Sequence, residues 1–504
     1  MASQLRRVAV AGIALAALVT TGCTAGAGDS GSGGGGAQAD TLTVGVTGEP
    51  ANLDFTTTSG SAIPQVLMNN VYQGLVRADQ DGEIVPQLAE EWTVSEDGTV
   101  YDFTLREGVT FSNGGEFTAD DVKFSLERIA TEWTTANIRM DVLDHVEVID
   151  DHHARVVLKR ASNQWLLDMT GTVGQMFDEE GVDDLANTAV GTGPYEVVER
   201  VQGDRITLEA RDDYWGEAPA METVTFRYFA DAVASTNALQ SGDVDLLYNM
   251  QAPDLVPQFE GDDQYQVLQG TSTGEILLAL NNAEAPFDDV RVRQAIAYAL
   301  DEQAILDTAW AGYGELIGAF VPPTEPFYED LTDEYPHDPE RARQLLAEAG
   351  VENLTIDFDV PTRPYANAVA EVVISQLADV GITANIVSDE FPAVWLDKVF
   401  TRGDYQMSVI LATEAHDFLT AFNNPEYYLH YDNSKIAPLV EAADAAPFEE
   451  YVDGMKEVVR IVTEDAASIP LFLFPNIIIA DAGLTGIPAN AVTESFDVTG
   501  IAWQ

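Results

Sequence analysis

Several stretches carry residue types that could do chemistry. Gly270-Thr271-Ser272-Thr273-Gly274 has the G-x-S-x-G spacing of a nucleophile elbow, in which a serine on a sharp strand-to-helix turn attacks a carbonyl. That chemistry needs a helix directly after the serine. Glu275 to Asn281, EILLALN, reads as a strand instead, so the spacing is assigned to chance and the chain is expected not to be an enzyme. Asp150-Asp151-His152-His153 has metal-ligand residue types. It sits at the turn of a hairpin predicted over Val146 to Lys159, where adjacent strand residues point to opposite faces and cannot easily share one ion. A solvated turn is expected, with no metal and no cofactor. Gly31, Gly33 and Gly36 fit G-x-G-x-x-G. No strand precedes them, so they read as low complexity rather than a nucleotide site. H-E-x-x-H and Walker A patterns are absent.

The only cysteine is Cys23. One thiol excludes an intrachain disulfide framework and a multi-cysteine metal site. Its context gives it another use. Arg6 and Arg7 precede an apolar run, Val8 to Val19, that is too short to span a bilayer, and Gly22-Cys23 follows. Residues 1–22 are expected to be a lipoprotein signal peptide, cleaved before Cys23, whose thiol is then diacylated. Thr20 stands three before the cysteine, where leucine is usual. Residues 23–39, rich in Gly, Ala and Ser, would form a lipid-anchored flexible linker reaching roughly 20–25 Å. No other apolar stretch approaches the ~20 residues of a transmembrane helix.

The chain of 504 residues has 84 acidic and 24 basic residues, a formal net charge of −60. A nucleic-acid partner is excluded, because phosphate binding needs a basic surface. The acids are spread along the whole chain, which favours a solvated acidic surface over a focused site for a cation.

The elements that would position a site are best punctuated at Gly108 to Ile129. An alternating run from Tyr101 to Phe111 predicts a strand, and Ser112-Asn113-Gly114-Gly115 a turn. Thr118 to Asp121 has the form of a capping box, and Val122, Leu126 and Ile129 give the following helix one apolar face. A helix is expected over Val66 to Leu75. Asp338-Pro339 and Gly350 bracket another. Leu354 to Val387 reads as strand, helix, strand, favouring a parallel pair.

The wording of these segments is more specific than their physics. F-S-N-G-x-x-F-T-A-D-D-V-x-F-S-L-E-R-I, ending at Ile129, resembles the characteristic segment of the family 5 extracellular solute-binding proteins, the peptide-, opine- and nickel-binding receptors of ABC importers. Further stretches are similar to that family in order: Tyr72-Gln73-Gly74-Leu75, Pro86-Gln87-Leu88-Ala89-Glu90-Glu91-Trp92, Gly191-Thr192-Gly193-Pro194-Tyr195, Arg211-Asp212-Asp213-Tyr214-Trp215-Gly216, Asp289-Val290-Arg291-Val292-Arg293-Gln294-Ala295-Ile296, and Glu464 to Leu471. The resemblance spans about Thr41 to Ala480.

It implies an α/β, two-lobed periplasmic-binding-protein-like fold with hinge-linked lobes. Lobe I would comprise 40–272 and 480–504, with a subdomain at about 61–185, and lobe II 273–479. It implies a monomeric receptor on the extracytoplasmic face of a bacterial membrane. The receptor would close on a small solute, foremost a short peptide, and pass it to a permease–ATPase complex. Glu414 and Asp417 align with the acidic loop that in peptide-binding relatives holds the ligand's α-ammonium, although the loop's Pro and a nearby Trp are missing here. Ser59 and Trp395 are further ligand-binding candidates. Opines, oligosaccharides, glutathione and nickel chelates remain alternative ligands. A lipid-anchored hydrolase using Ser272, and a sensory or adhesive lipoprotein without a permease, remain alternatives of other classes.

Overall fold

A computed structural model describes residues 40–504 except Ser59, Glu352 and Glu414. The signal segment, Cys23, the linker and the candidates Ser59 and Glu414 lie outside the described residues. Two mixed sheets dominate the rest. The seven-stranded sheet runs, in spatial order, Tyr265–Gly270, Asn476–Asp481, Leu246–Leu247, Thr41–Val46, Thr223–Tyr228, Arg205–Ala210 and Tyr195–Val201. The five-stranded sheet runs Thr383–Asp389, Thr355–Pro361, Met407–Ala412, Glu275–Leu280 and Ser468–Leu473. The inner strands are apolar on both faces because both faces are covered. In Glu275–Leu280, Ile276, Leu278 and Leu280 enter one hydrophobic cluster, whereas Leu277 and Ala279 enter another.

A third, antiparallel sheet, ordered Ala89–Val94, Val100–Leu105, His153–Leu158 and Leu143–Asp150, lies between the first and second strands of the seven-stranded sheet in sequence. Helix Ala119–Glu132 buries Val122, Leu126 and Ile129 in a cluster shared with Val146 and Val156 of this sheet. At its start the Asp121 carboxylate accepts from the backbone N–H of Thr118 at 2.8 Å. The expected cap of helix Pro339–Ala349 also forms: Asp338 accepts from the Arg341 N–H, and Gly350 takes the left-handed φ of 76°. Strands Thr355–Pro361 and Thr383–Asp389 pair in parallel.

Local expectations differ in places. The strand from Tyr101 ends at Leu105, and Thr110 pairs separately with Glu116. The helix expected to reach Leu75 spans Ala62–Leu67. The chain then turns at Asn69 (φ 65°), and the next side chains bond to distant segments as well as, for Asn70, to Val66 O at 3.0 Å. Asn70 donates to Phe496 O at 2.9 Å and accepts from Val498 N–H at 3.0 Å. Gln73 donates to the Tyr214 hydroxyl at 3.0 Å and accepts from Trp215 Nε1 at 3.1 Å.

The chain passes between the two large sheets twice, over residues 271–274 and 474–475. The return expected at 480 therefore falls inside a strand of the first sheet, since Asn476–Asp481 already pairs with Tyr265–Gly270. Ser272 staples the two passages. Its hydroxyl donates to Phe474 O at 2.5 Å and accepts from Gly274 N–H at 2.9 Å. With a strand rather than a helix following, the G-x-S-x-G spacing builds no nucleophile elbow.

Arg211 explains why distant landmark segments occur together. Its side chain is 3% exposed. It donates to Thr110 O (3.1 Å), Gly193 O (3.2 Å), Phe111 O (3.1 Å) and Thr110 Oγ1 (3.1 Å). A Cβ on Gly191 would lie 2.0 Å from Val71 O, and one on Gly193 2.5 Å from Asn70 O, so this approach needs glycine. Arg211→Met leaves several buried carbonyls without a donor and is expected to cost about 3 kcal/mol or more in urea unfolding. A loss below 1 kcal/mol would contradict this role.

Candidate functional site

A cavity of about 250 Å³ lies between segments on the seven-stranded-sheet side and the loop that follows strand Met407–Ala412. Phe55, Thr58, Pro64, Arg139, Asp168 and Thr172 form the first wall, and Thr413, Ala415, His416 and Thr420 the second. A neighbouring crevice of about 670 Å³ shares Arg139, Asp168, His416 and Thr420 with it. Hydroxyls and charged groups face each other across a short gap, with few aromatic rings. The size falls just below the ~300–1,000 Å³ of typical small-molecule pockets.

Two polar contacts bridge the walls. Arg139 donates to Asp168 Oδ1 at 3.1 Å on its own side and to Ala415 O at 3.0 Å on the other. His416 Nε2 lies 3.4 Å from Thr170 Oγ1, and its Nδ1 lies 2.5 Å from Glu325 Oε1. The Thr170 hydroxyl already donates to Leu167 O at 2.8 Å. Its oxygen can therefore only accept from His416, so both ring nitrogens face acceptors and the imidazolium form fits. Burial would lower the His416 pKa, but the Glu325 carboxylate, and Asp168 beyond it, outweigh burial and raise it. Asp168 is pushed up by burial, against the pull of Arg139 and His416.

Behind the loop sits a group of buried acids. Glu275 opens strand Glu275–Leu280, which lies between Met407–Ala412 and Ser468–Leu473 in the five-stranded sheet, at 1% exposure. Its Oε1 has no hydrogen-bond partner among the described residues, nor does Oε2 of Glu325. Burial, then the Asp417 and Glu325 charges, hold the Glu275 pKa well above its ordinary value. Asp417 is buried at the start of helix Phe418–Phe422, close enough to Glu275 and Tyr428 to act on both. The loop at 415–417 thus presents His416 to the cavity and Asp417 to the acid group.

Trp395 is elsewhere. At 3% exposure it packs against Phe391 and Tyr428, and its N–H donates to Ser408 Oγ at 3.0 Å. Its ring is core, with its one polar atom satisfied, and it lines neither cavity. The hairpin histidines form no site: His153 Nδ1 bonds Asp150 at the exposed turn, and no group of metal-ligand residues suited to an ion occurs among the described residues. Arg139, Asp168, Glu275, Glu325 and His416 were not singled out from sequence. Only Glu275 carried a signal, a charge opening an otherwise apolar strand.

The acid group sets a pH dependence. Unfolded Glu275 titrates near 4.5, whereas the folded protein holds its proton to higher pH. The folded state thus binds more protons, and stability falls as pH rises above 4.5. Glu275→Gln is expected to stabilise the fold by about 1 kcal/mol or more near pH 7 and much less near pH 4, measured by urea unfolding. An equal effect at both pH values would remove Glu275 as the titrating group.

Comparisons with known proteins fit this architecture. The sequence profile of bacterial extracellular solute-binding proteins, family 5 Middle, matches residues 83–435. Heme-binding protein A of Haemophilus influenzae is 31% identical over 356 residues, covering 64% of this chain and 65% of that protein. The dipeptide-binding protein of Escherichia coli is 30% identical over 343 residues, covering 61% and 64%. The chain thus matches just under two thirds of the length of these relatives. Among solved structures, AgaA of A. tumefaciens R10 in complex with agropinic acid superposes with a TM-score of 0.78 at 25% identity, covering 92% of this chain and 99% of that one. The substrate-binding protein CtaP of Listeria monocytogenes gives 0.81 at 22%, with the same coverage. The fold is the two-lobed α/β fold of periplasmic binding proteins, and the chain belongs to the bacterial extracellular solute-binding proteins of family 5.

Proposed function

We propose that this protein is the receptor of an ABC importer. It would capture a small solute, foremost a short peptide, between two lobes and deliver it to a permease–ATPase complex without making or breaking a bond. The observation that carries this reading is the polar cavity bridged from both sides, where Arg139 reaches Ala415 O and His416 faces Thr170. Lobe I is taken as 40–272 with 476–504, including a subdomain at about 61–185, and lobe II as 273–475. Ligand contacts to both lobes would stabilise the closed state, which the permease recognises. The dipeptide-binding relative supports a peptide.

Glu414 is assigned to the ligand's α-ammonium, a charge-assisted contact, with Asp417 as a further ligand-binding candidate. Cys23 is assigned to a lipid anchor on the extracytoplasmic face of the membrane, which raises the receptor's local concentration at its permease. Among the described residues no helix is long and apolar enough to cross a membrane, which fits a receptor that needs a tether. The receptor is taken as a monomer.

Native mass spectrometry of protein purified gently from its own cells tests the ligand class. A bound mass that fragments as a peptide is expected; an opine, sugar, heme or metal-chelate mass would discard the peptide assignment and keep the receptor. Glu414→Gln is expected to weaken an unblocked dipeptide about tenfold and an N-acetylated one far less in calorimetry, and equal losses would sink the ammonium role. Cys23→Ala is expected to move the protein from the membrane fraction to the soluble one; retention would refute the anchor.

A further inference from the structure

Away from the cavity, the far end of the 670 Å³ crevice holds a second contact between the same two sides. Asp444 is the last residue of helix Ala437–Asp444 and is 5% exposed. It comes from the stretch between the two inter-sheet passages, whose core includes Val440, Ala443 and Tyr451. Its partners come from the segment that follows strand His153–Leu158 of the four-stranded sheet. Arg160 Nη1 donates to Asp444 Oδ2 at 2.8 Å, the Ser162 hydroxyl donates to the same oxygen at 2.8 Å, and the Gln164 N–H donates to Oδ1 at 3.0 Å. Around this carboxylate, Asn163 Nδ2 donates to Asp444 O at 3.1 Å and to Ala446 O at 2.8 Å, and the Tyr451 hydroxyl donates to Gln164 Oε1 at 3.3 Å.

We infer that Asp444 is a positioning residue that latches the lobes shut, setting ligand affinity from outside the ligand cavity. The inference rests on the hinge-closure reading above. Three features carry it. The contact joins residues about 280 positions apart across the crevice. It is built from one carboxylate, which can accept several donors at once without rearrangement. The bonds it makes are charge-assisted and converge on a carboxylate that is desolvated where the two sides meet. Asp444 lines the larger crevice but not the 250 Å³ cavity, so it need not touch the solute. Closure thus depends on two separate contacts, one made with the solute and one made without it.

The test measures lobe separation directly. Full-length protein carrying Cys23→Ser, Lys123→Cys and Glu340→Cys is spin-labelled at the two introduced cysteines, and the distance distribution is read by pulsed dipolar spectroscopy without added solute. Both positions lie on well-exposed helix surfaces on opposite sides of the crevice. Adding Asp444→Ala is expected to lower the closed-to-open ratio about tenfold or more. Asp444→Asn keeps a hydrogen-bond acceptor but loses the charge opposite Arg160, and is expected to lower the ratio less. Unfolding midpoints are read alongside: a lower midpoint with an unchanged distance distribution would make Asp444 a structural residue and overturn the latch. Two distances in the parent, with a ratio that neither variant moves, would overturn the latch but leave hinge closure standing. A single unmoving distance in every variant would overturn both.

Discussion

The desolvated guanidinium of Arg211 is the constraint on which the rest of lobe I depends. A buried cation is tolerated only where its donors are matched, and here they are matched largely by main-chain carbonyls of segments far apart in sequence. Meeting those carbonyls forces the 191–193 loop against the chain at 70–71, and only glycine fits. Gln73 continues the knot, binding Tyr214, Trp215 and Thr192. The four-stranded sheet is therefore joined to the seven-stranded sheet by a polar lock as well as by apolar packing. A lysine could not replace this fork, because a point charge cannot address carbonyls in several directions at once.

Arg293 repeats the device in the other half. It donates to Phe287 O at 2.8 Å and to Asp465 O at 2.8 and 3.0 Å, fixing helix Val290–Ala299 to the turn before strand Ser468–Leu473. In a chain with 24 basic residues against 84 acidic ones, two of the buried arginines face carbonyls. Their landmark segments are thus recognisable in sequence for a structural reason rather than for contact with solute. The parts that face the cavity lie elsewhere, on Arg139, Asp168 and the 415–417 loop.

This division explains what could be read in advance. Caps, turns and buried strands are local: Thr118 with Asp121, Asp338 with Gly350, and the apolar run after Glu275 each declare themselves within a few residues. The landmark order carried the fold. The cavity was mostly illegible, because its walls meet only through tertiary contacts. Arg139 and Ala415 are 276 positions apart, and no periodicity encodes their meeting. Trp395 illustrates the converse ambiguity. A tryptophan is as useful to a core as to a ligand, and Ser408 satisfies its N–H inside the core. The passage back between sheets came earlier than expected because Asn476–Asp481 is apolar on both faces, and that pattern alone does not say which sheet the strand joins.

Ser272 shows how a chemically suggestive spacing can serve mechanics instead. Its small flanking residues let the two passages between the sheets run side by side, and its hydroxyl links them through Phe474 O. The two passages are short, and the side-chain contacts that bridge the two sides at the cavity and at the crevice are made elsewhere. Those contacts differ in kind. At the cavity, the buried acids Glu275, Glu325 and Asp417 stand behind a single histidine, a charge arrangement whose cost falls when a positive group approaches. At the far end of the crevice, Asp444 is already matched by donors of this chain. One joint is thus completed by groups of this chain, while at the other Glu275 Oε1 has no hydrogen-bond partner among the described residues.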